Sequence, residues 1–166
     1  MDNILLDGKG NVKIADFGVS KIVKSGEVMK DQCGTPAYIA PEIIKDEGYT
    51  GFKADIWSAG VVLFAMIFGT VPFKANNMQD LHQLIMKAKY NLKEEGTDEV
   101  RDLIKKLLEP NPKKRIYIPE ILSHPWFADL KEDLQIFNEK ELEVIQNEFI
   151  YNDPTRFNRN EPINKE

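Results

Sequence analysis

Cys33-Gly34-Thr35-Pro36-Ala37-Tyr38-Ile39-Ala40-Pro41-Glu42, followed by Asp55-Ile56-Trp57-Ser58-Ala59-Gly60, is the stretch on which the fold turns. Its first part is punctuated by glycine and proline and has no sustained periodicity. Its second part opens the most hydrophobic run of the chain, Ala59 to Phe68. That run is shorter than the roughly 20 residues a membrane crossing needs, so it reads as a buried core helix and no membrane span is expected. Asp55 is placed to cap this helix, and Gly69 and Pro72 to end it. From Asp16 to about Lys53, some 38 residues lack an obvious element, and a loop of such length inside a compact domain is usually functional.

Working outward, Ile4-Leu5-Leu6 and Val12-Lys13-Ile14 flank Asp7-Gly8-Lys9-Gly10, which predicts a small β-hairpin. Toward the C-terminus the apolar spacing predicts a helix over 78–87, with Leu81, Leu84 and Ile85 on one face. Another is predicted over 98–108, where Val100, Leu103, Ile104, Leu107 and Leu108 form a stripe that Pro110 and Pro112 close. A short helix is expected to start at Pro119. Asn138 and Glu141 resemble a capping box opening a helix over about 138–150, with Leu142, Ile145 and Phe149 facing inward. An irregular end is expected from Tyr151.

The composition narrows the classes of function. The 166 residues carry a net charge of −5, which argues against a general nucleic-acid or anionic-membrane binder. Residues 131–166 hold five basic and nine acidic groups, a net of −4, so the acidity is mostly a property of the tail. A single cysteine, Cys33, forbids an intramolecular disulfide and points to a reducing, cytoplasmic setting. His82 and His124 have no Cys or His at metal-ligand spacing, so zinc is not expected.

Asp16-Phe17-Gly18 follows the second strand-like run directly. A carboxylate there is held by a rigid element, and Mg²⁺ takes one or two carboxylates together with phosphate oxygens and water. Gly18 is expected to let the backbone turn sharply.

Asn3, Asp16-Phe17-Gly18, the 33–42 stretch, Asp55-Ile56-Trp57-Ser58-Ala59-Gly60 and Arg115 occur in an order and at spacings that resemble the protein kinase family. The resemblance covers roughly residues 1–128. It implies an α+β, predominantly α-helical fold: a kinase-like C-terminal lobe with a short β-hairpin at its start. An acidic extension would follow over 129–166. It also implies ATP and Mg²⁺ as cofactors and protein substrates with Ser or Thr acceptors. Asp16 and Asn3 then resemble the two Mg²⁺ ligands, and Phe17 a residue that packs inward. Residues 16–42 become the activation segment. Thr35 resembles the threonine that supports the catalytic loop and the substrate pocket. Asp55 resembles the buried aspartate bonded to the catalytic-loop backbone, and Glu42 with Arg115 a buried ion pair. The Gly-Thr-Pro-x-Tyr-x-Ala-Pro-Glu setting is the serine/threonine form.

Some parts depart from the family's pattern. The general-base aspartate and the phosphate-contacting lysine would stand ahead of Asn3, and the Gly-rich loop and ATP-pairing lysine belong to an N-terminal lobe. Met1 is therefore expected to be an internal methionine of a longer kinase, and the isolated chain to be inactive. The competing expectation is a catalytically dead docking module. Asp31 stands where many relatives carry a phosphorylatable threonine, which leaves Ser25 as the remaining serine of the loop. The helix from Asp55 and the His124-Pro125-Trp126-Phe127 ending resemble the calcium/calmodulin-dependent kinase group. Calmodulin binding itself is disfavoured, because residues 131–150 are acidic where calmodulin targets are usually basic.

Overall fold

The structure is a computed structural model that describes residues 3–8, 11–23, 27–31, 34–92 and 94–128. The sequence-predicted helix over 138–150 lies outside the described residues, as does Ser25. The fold is α+β and mostly helical. A two-stranded antiparallel hairpin, β1 (Ile4–Leu6) and β2 (Val12–Ile14), precedes helices α1 (Pro41–Ile44), α2 (Gly51–Phe68), α3 (Met78–Met86), α4 (Asp98–Leu107) and α5 (Ile118–Leu122). Two 3₁₀ turns, Pro36–Tyr38 and Pro125–Phe127, complete it.

The hairpin pairs Ile4 with Ile14 and Leu6 with Val12. Asp7 continues this register across the loop: its backbone N–H donates to the Asn11 carbonyl, and its carboxylate accepts from the Asn11 backbone and side-chain amides, all at 2.9 Å. An aspartate that bonds the backbone a few residues on is a familiar way to close a turn.

The span from 16 to 53 is less featureless than its sequence suggests. Pro36 and Pro41 each occupy the first position of a short helical element, where the missing N–H costs nothing. Met29 and Tyr49 exchange backbone hydrogen bonds of 2.8 and 3.0 Å.

α2 also starts earlier than expected. Thr50, in extended conformation, precedes the first helical residue, Gly51, so Asp55 lies inside the helix and does not cap it. Packing explains the shift: a Cβ on Gly51 would stand 3.1 Å from the Met29 sulfur, so the bare glycine lets the helix begin beneath that side chain. At the far end Gly69 adopts φ 67°, the left-handed C-terminal cap that glycine favours. α5 begins at Ile118, one residue before Pro119.

α2 is long and apolar enough, by length and composition, to cross a membrane. Its contacts place it in the protein core. Trp57, Val61, Phe64 and Phe68 are buried and cluster with Phe73, Ile85, Val100, Ile104 and Leu108. Trp57 stacks on Phe73 at 5.6 Å, and Tyr90 meets Phe64 and Phe73 edge-on. The stripe expected on 98–108 faces α2, with Thr97 capping α4 through Val100 N–H at 3.3 Å.

His124 ties the last turn to α4. Its Nδ1 accepts the Trp126 N–H at 3.2 Å, so Nε2–H is the donor toward the Asp102 carboxylate at 3.0 Å. Lys106, 2.6 Å from the same carboxylate, and then His124 hold the Asp102 carboxyl below its usual range. The folded carboxyl therefore adds stability that is present above the ordinary carboxylate range and lost as pH falls through the depressed value. Asp102→Asn should lower thermal stability near pH 7, with the difference shrinking as pH falls through the ordinary carboxylate range and gone below the depressed Asp102 value in melts across pH.

α2 and α4 meet at Gly60. A Cβ there would lie 2.8 Å from Leu107 Cβ and 3.0 Å from Leu108 Cδ2. Gly60→Ala should improve helix propensity by roughly 1 kcal/mol yet destabilise overall by about 1–3 kcal/mol through overpacking. Urea denaturation would measure the net sign.

Candidate functional site

Hairpin register creates the first part of the site. Asn3 lies just outside β1, and its carbonyl accepts the Ala15 N–H at 2.8 Å, extending the ladder by one pair. The next residue on that side is Asp16. The Asn3 side-chain amide thereby reaches the Asp16 carboxylate, Nδ2 to Oδ2 at 3.4 Å, across thirteen positions of sequence. A carboxylate beside an amide suits a hard cation once the amide turns its carbonyl oxygen, in place of Nδ2, toward the shared space. Among the described residues no three His, Cys, Asp or Glu side chains cluster into a protein-only metal cage. A cation here would complete its shell from phosphate and water.

The left-handed conformation falls on Asp16, at φ 64°, while Gly18 occupies the second position of a turn that the Ser20 N–H closes on the Phe17 carbonyl at 3.0 Å, as the sequence predicts. Aspartate tolerates this left-handed conformation better than most residues because its short side chain can bond locally. Here Asp16 Oδ1 accepts the Gly18 N–H at 3.1 Å. Gly18 serves by lacking a side chain: a Cβ would press to 3.1 Å from that same oxygen. Phe17 does not pack inward. It is 68% exposed, and Leu6, Val12, Ile14 and Val19 are exposed too, because no apolar surface within the described residues covers this face.

Further along, Lys21 Nζ lies 3.0 Å from Asp31 Oδ2, and this bond raises the lysine's pKa. Tyr49 donates its hydroxyl to the Asp31 carbonyl at 2.7 Å. With the Met29–Tyr49 bridge, these contacts tie the segment to the loop ahead of α2. Thr35 is exposed and leads into the 3₁₀ turn, its carbonyl accepting the Tyr38 N–H at 2.9 Å. Ser58 of α2 anchors that turn by donating to the Tyr38 carbonyl at 3.0 Å. Asp55 is exposed, and its carboxylate has no hydrogen-bond partner among the described residues. The protein around its base still desolvates it enough to push its pKa up.

Glu42 and Arg115 meet at the end of the segment. Arg115 Nη1 and Nη2 donate to the two Glu42 oxygens at 2.7 and 2.8 Å, and both residues are buried. Arg115 Nε donates to the Glu109 carbonyl at 2.9 Å, and Nη1 also reaches the Lys53 carbonyl. The guanidinium lies 5.1 Å from the Trp57 ring centroid. Lys53 returns the bond, its ammonium donating to the carbonyls of Arg115 and Ile116.

The Asn3–Asp16 pair on a hairpin, a long segment pinned beyond it and a buried carboxylate–guanidinium pair follow one another along the chain. Residues 1–127 match the protein kinase domain. The chain belongs to the protein kinase family. It is 43% identical to rice (Oryza sativa subsp. japonica) CBL-interacting protein kinase 5 over 129 residues, covering 76% of this chain and 28% of that protein. It is 40% identical to Arabidopsis thaliana CBL-interacting serine/threonine-protein kinase 26 over 143 residues, covering 84% of this chain and 32% of the relative. The chain spans less than a third of the length of these curated relatives.

In this kinase chain, sequence reasoning missed Lys53 and Tyr49. Lys53 works through backbone carbonyls some 62 residues away, a contact with no local pattern. Tyr49 was readable only as an aromatic within a loop. Arg115→Met should cost about 3–5 kcal/mol, the penalty for orphaning the buried Glu42 carboxylate. Adding Glu42→Leu to Arg115→Met should recover part of that loss, giving a coupling of at least about 1 kcal/mol in a double-mutant cycle by denaturant titration.

Proposed function

We propose that this chain is the metal-ligand and substrate-side part of an ATP- and Mg²⁺-dependent protein serine/threonine kinase, which transfers the γ-phosphoryl group to Ser or Thr hydroxyls. The observation that carries the reading is the apposition of Asn3 and Asp16, with Asp16 in a left-handed conformation. Strained backbone at a non-glycine residue costs roughly 1 kcal/mol and clusters at functional sites. Asn3 and Asp16 would hold the Mg²⁺, which when bound neutralises charge on the nucleotide phosphates. The work of these two residues is positional: one carboxylate and one amide oxygen, fixed by the hairpin register.

Thr35, at the entry to the turn that Ser58 anchors, is assigned to supporting the substrate pocket. Glu42 and Arg115 fix the floor on which that pocket stands. Phosphoryl transfer rests mostly on positioning and electrostatics, so these residues alone do not complete a reaction. A general-base aspartate and an ATP-pairing lysine are needed from elsewhere in a longer protein, which fits the chain's coverage of 28% and 32% of its relatives. On this reading the isolated chain is inactive. A CBL-type partner, recorded in the relatives' names for those proteins, is a proposal for the whole protein only.

Asp31 is assigned a regulatory part. Its contact with Lys21 gives the segment a permanent carboxylate–ammonium pair without a phosphoryl group. The test is phosphoryl transfer from labelled ATP to a generic Ser/Thr protein substrate, using the longest form of the protein that cells make. Asp16→Asn should reduce the rate at least about a hundredfold, the scale for losing one electrostatic ligand. Asp31→Asn should give a smaller but measurable loss. Equal rates for Asp16→Asn and wild type would overturn the kinase assignment in favour of a docking module.

A further inference from the structure

Away from the hairpin, the C-terminal end of α2, the turn after it and the loop after α3 enclose an open groove of about 450 Å³. Phe64, Val71 and Leu84 give it an apolar floor, and Tyr90 forms a wall. Phe64 is buried in the core, while Val71 and Leu84 are half-buried, so the floor is continuous with packed protein. Lys74 and Lys89 stand at the rim, both exposed. Neither ammonium has an ion-pair or hydrogen-bond partner among the described residues. None of the lining residues is acidic. Burial, and then the nearby Glu109 carboxylate, push the Tyr90 phenol up to about 12.

We propose that this groove is a docking site for an acidic linear peptide, one apolar side chain seated on Phe64, Val71 and Leu84 with carboxylates on either side facing Lys74 and Lys89. Charge complementarity selects this occupant. Exposed lysines left unpaired beside an apolar floor favour carboxylates, and like charges opposed across such a contact are strongly disfavoured. The shape selects a peptide over a small molecule, because small-molecule sites bury most of their ligand and this groove stays open along one side. Thr70 and Asn91, also on the lining, supply hydrogen-bonding groups for a peptide backbone. The site shares no lining residue with those assigned to metal and substrate and does not depend on the activity reading.

The experiment is fluorescence anisotropy of the full chain with a fluorescein-labelled peptide that has a single Phe flanked on both sides by Glu. Saturable binding below about 1 mM is expected, weakening as salt is raised. Lys74→Glu with Lys89→Glu should weaken it at least about tenfold. Both side chains are exposed, so the circular dichroism spectrum should not change. Two control peptides, one with Lys in place of Glu and one with Ala in place of Phe, should each bind at least about tenfold more weakly. Failure of the Glu-flanked peptide to saturate would overturn the proposal. So would equal binding of either control, or binding insensitive to the charge reversal in a folded variant.

Discussion

The buried Glu42–Arg115 pair is the constraint around which the helical part is organised. Glu42 sits on α1, directly after the long segment, and Arg115 lies between α4 and α5, 73 positions on. Two charges can be buried together only if geometry satisfies them. Both carboxylate oxygens are engaged by the fork, and the rest of the guanidinium is spent on the carbonyls of Glu109 and Lys53 and on the Trp57 face. The same contacts fix the start of α2 against the loop before α5. Because Lys53 both gives to and receives from Arg115, the lock closes through backbone as well as side chains.

From that anchor the order of the site follows by short steps. α1 is tied to Arg115, and the 3₁₀ turn ahead of it is tied to α2 through Ser58. Tyr49, buried ahead of α2, holds Met29 and Asp31 of the segment. The segment is thus fixed at its C-terminal end by a buried ion pair and at its middle by the Met29–Tyr49 bridge and the Tyr49–Asp31 bond, while the exposed Lys21–Asp31 pair closes within the segment itself. Exposed ion pairs contribute little, at most about 1 kcal/mol. The middle is the softer tether.

Helices were legible wherever periodicity was strong. The stripe on 98–108 and the helix over 78–87 needed no tertiary information, since their apolar spacing alone chose the buried face. The start of α2 was not legible, because Gly51 reads as a breaker until Met29 is seen packed over it. Asp55 then falls within the helix. The turn at Gly18 was legible from the glycine, but the positive φ of Asp16 was not, because it depends on the aspartate bonding forward to the Gly18 N–H. The Asp-Gly turn made the hairpin readable, but Asn3 and Asp16 were brought together in sequence only through the family resemblance; in the structure the register does it. Phe17 could not be placed from sequence, because its burial depends on surfaces that the described residues do not supply.

The distribution of burial separates the two halves of the site. The lock on α1 rests in a core where Trp57, Val100 and Ile104 are almost wholly buried. The Asn3–Asp16 pair rests on a two-stranded hairpin whose Leu5, Leu6, Val12 and Ile14 are at least half exposed. An isolated two-stranded hairpin is marginally stable at best in water, and its apolar faces here need a cover. The positions of Asn3 and Asp16 are therefore only as firm as whatever packs on those faces. A site that demands sub-ångström placement gains it from a rigid supporting shell. The residues proposed to carry the chemistry are thus the ones this chain supports least by itself, and that supplies a physical reason for assigning the reaction to a longer protein.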